Sequence, residues 1–145
     1  MALLDATRTH GDFGLTIKDA TGNSMQIDIP VDQGGEGKGL RPMQTVLAAL
    51  CGCSSVDIVS ILKKQKQDVT GFTISVDGNR EAGKEPSLWQ NISLVFSLTG
   101  NIDEAKAYRA AELSVNKYCS VAETLRRAGA AITWKVIVNG NEVIK

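Results

Sequence analysis

Among 145 residues, the side chains able to do nucleophilic or redox chemistry are few: three cysteines, Cys51, Cys53 and Cys119, and a single histidine, His10. One histidine nearly excludes a metal site built from imidazoles, and a Cys-His nucleophile pair has only His10 to draw on. Three thiols are an odd number, and no signal-peptide pattern opens Met1-Ala2-Leu3-Leu4-Asp5, so a cytoplasmic protein is expected. In that reducing compartment a disulfide is catalytic or sensing rather than structural.

Cys53 lies in a long apolar stretch. Helical geometry puts Ala49 and Leu50 one turn before it and Val56 and Asp57 one turn after it, on the same face. A cysteine in such a place is most simply a small hydrophobe filling the core. Cys51 fits that reading better still: two positions from Cys53 is about 200° around the helix, so the two thiols face apart and cannot form a disulfide. Asp57 resists it. A carboxylate on an apolar helix must find hydrogen-bond partners or stay protonated, and a bare carboxylate beside Cys53 disfavours the thiolate. An active Cys53 therefore needs a cation or a helix end nearby, with Arg41 and Arg8 as candidates. Cys119, in Asn116-Lys117-Tyr118-Cys119-Ser120-Val121, falls between two helices, where unpaired N–H groups of the second favour a thiolate.

The elements that must position these groups are legible from periodicity. Phe13–Ile17 and Met25–Ile29 alternate around Ala20-Thr21-Gly22-Asn23 as a β-hairpin. Gln33–Gly39, with four glycines, reads as a mobile surface loop; its Gly37-Lys38 lacks the glycine spacing and the following Ser or Thr of a phosphate loop. Pro42 opens a long helix to about Lys64, whose apolar residues cover nearly every angle and predict burial around its whole girth. Strands follow at Phe72–Val76 and Ile92–Leu98, joined by a long connection from Asp77 to Ser87. A helix over Asp103–Lys117 is opened by Asn101 or Asp103, a short helix spans about Val121–Ala128, and a last strand covers Ile132–Val138.

This order, with hairpin-like spacing, predicts an α+β fold in one domain spanning residues 1–145, residues 1–12 forming a loosely ordered arm. Apolar residues make up 43% of the chain, enough for a real core. Lys plus Arg and Asp plus Glu number 16 each, which leaves no basic excess for nucleic acid. No apolar run is expected to approach the roughly 20 residues that cross a bilayer, so no membrane partner is expected either.

Two stretches resemble the OsmC/Ohr family, the osmotically inducible protein C and organic hydroperoxide resistance proteins, and its OsmC-like branch in particular. Arg41 to Leu62, through Leu50-Cys51-Gly52-Cys53-Ser54-Ser55, is similar to the proline-led helix bearing the family's first cysteine. Thr99 to Val121, ending Lys117-Tyr118-Cys119-Ser120-Val121, is similar to the helix and turn bearing its second. The resemblance implies an antiparallel sheet packed around a long central helix, in an intertwined homodimer with active sites at the subunit interface. It implies a stress-response peroxidase without cofactor or metal, in which Cys53 attacks an organic hydroperoxide, Cys119 closes a disulfide and an external thiol reduces it. Where family peroxidases carry an activating glutamate after the proline, this chain has Met43 and Gln44. Gln44, Arg41 and Asp57 are thus the candidate supporting residues. The alternative reading is a dimeric binding protein for a small apolar or thiol ligand, its cysteines merely packed.

Overall fold

The computed structural model describes residues 2–145. The chain divides into two compact units, one reaching to Ala48 and the other running from Ala49 to Lys145.

The first unit is a three-stranded antiparallel sheet, β1 (Leu4–His10), β2 (Gly14–Asp19) and β3 (Ser24–Ile27), in that order. The predicted hairpin is β2–β3. Its turn is closed by the Asp19 carboxylate, which accepts the backbone N–H groups of Thr21 and Asn23, both at 2.9 Å. Two expectations are corrected here. Residues 4–10, expected to be a loose arm, form β1, because their backbone pairs with β2 from Leu4↔Asp19 to His10↔Gly14. The glycine-rich segment is not free either. Buried Asp28 accepts N–H groups from Ile29 (2.8 Å), Glu36 (3.2 Å) and Lys38 (3.1 Å), while Gly35 and Gly37 donate to the carbonyls of Pro30 and Ile29. Gly35 is needed for close approach, since a Cβ there would lie 2.1 Å from the Ile29 carbonyl oxygen.

Helix α1 (Pro42–Lys64) starts in the first unit and continues into the second. Its Pro42 occupies the first turn as predicted, and the Gln44 Oε1 accepts the Arg41 N–H at 2.9 Å to close the helix start. The predicted burial around the girth does not hold. Leu47, Leu50, Ser54, Ile58 and Leu62 form one buried stripe at spacings of three and four, whereas Val56 is 65% and Val59 43% exposed. By length and composition α1 is also long and apolar enough to cross a bilayer, against expectation, because its small Ala, Cys, Gly and Ser residues interrupt the apolar run without adding charge. Core helices of soluble proteins meet the same criterion.

The second unit holds β4 (Asp68–Arg80), β5 (Trp89–Asn101), α2 (Glu104–Leu113), a π-turn (Ser114–Tyr118), α3 (Ser120–Arg127), β6 (Ala131–Val138) and β7 (Asn141–Val143). Strands β4 and β5 are 13 residues each, longer than predicted, which shortens their connection to residues 81–88. The sheet order is β4-β5-β6-β7, and it is mixed rather than purely antiparallel: β5 and β6 run parallel, joined by the crossover through α2 and α3. Alternate residues of β5, Ile92, Leu94, Phe96 and Leu98, are buried, as are Val136 and Val138 of β6 and Ala107, Ala110 and Ala111 of α2. These make the core, which reads as the predicted α+β class.

Candidate functional site

Cys53 and Cys119 approach each other in the second unit: the Cys53 thiol is near enough to help raise the Cys119 pKa. Each is delivered by a distinct local device. Cys53 sits mid-way along α1, half-buried, one residue before Ser54 on the buried stripe; the Ser54 hydroxyl is turned back to the Leu50 carbonyl at 2.8 Å. Cys119 caps α3, its sulfur accepting the Ala122 N–H at 3.4 Å, and is only 2% exposed. The backbone reaches this cap through the π-turn, in which the Cys119 N–H bonds the Ser114 carbonyl five residues back at 2.8 Å. Single π-turns of this kind recur at functional sites.

The same turn answers the question posed by Asp57. Buried Ser114 donates its hydroxyl to the Asp57 carboxylate at 3.0 Å and also lies 3.1 Å from the Ser54 carbonyl, so one side chain ties the π-turn to the α1 segment that carries Cys53. On the other side, Arg126 of α3 donates Nη2 to the Val115 carbonyl at 2.5 Å. Neither Ser114 nor Arg126 was picked out from sequence. A serine following the buried alanines of α2 was the only signal for the first, and nothing local marked the second.

The electrostatics differ from expectation at Cys119. Burial pushes its pKa up to about 11 from the usual 9.0. The N–H groups of Ala122 and Val121 pull the other way, as a helix start should, but burial together with the neighbouring Cys53 thiol outweighs them. Cys119 is therefore a protonated donor, not the ready thiolate its position suggested. Burial pushes the Cys51 thiol up as well. All three cysteines are free, and Cys51 and Cys53 stay on an unbroken helix.

Other predicted groups are placed differently. The Gln44 side chain is occupied with the Arg41 N–H, and the exposed Arg8 and Arg41 guanidinium groups have no hydrogen bond or ion pair among the described residues. His10 is committed within the first unit, its Nε2 3.4 Å from Asp28. Burial raises the Asp28 pKa, but the N–H donors of Lys38, Ile29 and Glu36 and then His10 more than offset it and hold the carboxyl below its ordinary value. A cavity of about 740 Å³ between α2 and β7, lined by Tyr108, Arg109, Glu112 and Ile144 among others, includes neither thiol. No group of three metal-ligating side chains occurs among the described residues.

A family model for OsmC-like proteins matches residues 35–135. Protein YhfA of Escherichia coli K12 is 39% identical over 116 residues, covering 79% of this chain and 84% of YhfA. Among solved structures, a hypothetical protein from Aquifex aeolicus VF5 superposes with a TM-score of 0.76 at 28% identity, over 94% of this chain and 96% of that one. An organic hydroperoxide resistance protein OsmC from Legionella pneumophila gives 0.68 at 18% identity, over 95% of this chain and 97% of its own, which is a likeness of fold.

Proposed function

Since the chain belongs to the OsmC-like protein family, we propose that it is a thiol-dependent peroxidase that reduces organic hydroperoxides through Cys53 and Cys119, in the cytoplasm, as part of an oxidative or osmotic stress response. The observation that supports this reading is the approach of the two thiols, near enough that Cys53 helps raise the Cys119 pKa, which brings a second sulfur close to the first.

The chemistry divides between them. The Cys53 thiolate attacks one peroxide oxygen; an S–O bond forms as the O–O bond breaks, and the leaving alkoxide takes a proton to become an alcohol. Cys119, protonated until then, attacks the sulfenic sulfur; the S–S bond forms, and hydroxide departs with the Cys119 proton as water. Two equivalents of an external thiol supply the two electrons that reopen the disulfide and are themselves joined as a disulfide. The raised Cys119 pKa supports this order of roles, because a thiol that stays protonated can donate its hydrogen bond to a neighbouring thiolate instead of competing for the peroxide. The exposed Gly52, Val56 and Val59 face of α1 supports a homodimer whose apolar interface favours alkyl hydroperoxides over strongly hydrated hydrogen peroxide.

Rapid mixing of reduced protein with cumene hydroperoxide tests the reading: wild type consumes peroxide and yields a Cys53–Cys119 disulfide by peptide mass, and Cys53→Ser does neither. Equal, slow consumption by both proteins sinks it. A dimeric binding protein without peroxidase activity is the second reading, favoured by Gln44, whose side chain closes a helix start where the family's peroxidases hold a glutamate.

A further inference from the structure

The reaction proposed above needs a reductant, and the surroundings of Cys119 bear on which one. A cavity of about 320 Å³ in the second unit is lined by Lys117, Tyr118, Cys119, Glu123 and Arg127, among others, and not by Cys53. Cys119 is the single buried residue of its wall; the rest are exposed, so the cysteine lies at the floor and the charged groups at the rim. The rim carries a net positive charge. Arg127 Nε lies 3.5 Å from the Glu123 carboxylate in an exposed pair, while Lys117, its Nζ 5.3 Å from the centre of the Tyr118 ring, pairs with no carboxylate among the described residues.

We propose that this cavity receives the reducing thiol, that the thiol is an anionic one, and that it attacks Cys119. The proposal rests on the peroxidase reading for its physiological meaning. A thiolate displaces sulfur from a disulfide along the S–S axis. One seated in a cavity that Cys119 lines and Cys53 does not strikes the Cys119 sulfur from the side away from Cys53. The new S–S bond joins reductant to Cys119, the Cys53–Cys119 bond breaks, and its electron pair leaves on Cys53 as thiolate. A second reductant thiolate then attacks the sulfur of the bound reductant and releases Cys119, which takes a proton. Peroxide and reductant thus use different sulfurs, and Lys117 and Arg127 select the second partner by charge.

The test starts from a disulfide made without peroxide. In a Cys51→Ser background, which removes the third thiol, diamide oxidises Cys53 and Cys119. The product is reduced with mercaptosuccinate, 2-mercaptoethanol or cysteamine, rates being compared per thiolate and corrected for thiol basicity. At low ionic strength mercaptosuccinate is expected to react at least about fivefold faster than cysteamine, the gap closing with added salt and shrinking below about twofold in Lys117→Glu. The first mixed disulfide, trapped by acid, maps to Cys119. Cysteamine reacting as fast as mercaptosuccinate, a first adduct on Cys53, or failure of diamide to form the disulfide overturns the proposal. If the reduction follows the expected order while cumene hydroperoxide never forms the disulfide, the peroxidase reading fails and the cavity assignment stands.

Discussion

Ser114 donates to the Asp57 carboxylate and sits against the Ser54 carbonyl, so its loss and the loss of Asp57 are not equivalent. Ser114→Ala leaves a half-buried carboxylate without its hydroxyl donor, at a cost of about 1–3 kcal/mol. Asp57→Ala leaves the hydroxyl with the Ser54 carbonyl to donate to, and costs less. Urea denaturation of the two variants checks this, and a larger loss in Asp57→Ala contradicts it. Cys119 gives a second prediction through pH. Its folded pKa of about 11 stands above 9.0, so between those values the unfolded chain releases the thiol proton and the folded chain keeps it. Stability from this group is full below pH 9 and falls as pH rises toward 11, by roughly 2 kcal/mol. The urea midpoint of wild type therefore drops more steeply across that window than that of Cys119→Ala, and parallel curves refute the assignment.

At the scale of the element, the start of α1 offers a clean substitution. Gln44→Ala removes the acceptor for the Arg41 N–H and costs about 1 kcal/mol, whereas Gln44→Glu keeps an acceptor and adds a negative charge at a helix start, so its thermal midpoint equals or exceeds that of wild type. A loss in Gln44→Glu as large as in Gln44→Ala would show that the cap is not what Gln44 contributes. Helix starts of this kind were legible in the sequence: Pro42 and Asp103 mark the two helices, the latter's carboxylate accepting the Lys106 N–H at 3.0 Å. The hairpin β6–β7 was equally legible and went unread, for Asn139-Gly140, both at positive φ, is the residue pair that a two-residue turn demands. The π-turn was not, because Ser114 to Tyr118 continues the helical pattern and only the bond from Cys119 back to Ser114 reveals the extra residue. Nor was the order of the glycine-rich segment. It comes from backbone donors converging on one carboxylate, Asp28, and composition carries no trace of that.

The whole molecule turns on α1. Apolar residues at nearly every angle suggested a helix sunk in one chain's core, yet only the stripe of Leu47, Leu50, Ser54, Ile58 and Leu62 is buried, and Gly52, Val56 and Val59 face outward. Composition cannot separate an apolar face that is buried from one left exposed, which is why the burial pattern was misread; an approach of Cys53 to Cys119 was implied only by a family likeness, because 66 positions (119 minus 53) separate them. If that outward face closes against a second chain, Val56, 65% exposed here, becomes buried there. A carboxylate at its position then loses its water without gaining a cation, and Val56→Asp weakens association by roughly two orders of magnitude. Sedimentation velocity should find wild type at twice the chain mass and Val56→Asp shifted to the single chain, with helical content by circular dichroism unchanged because the residue is exposed in the isolated chain. A wild type that sediments as one chain at every concentration removes the homodimer, and a dimer untouched by Val56→Asp moves its interface off this face of α1.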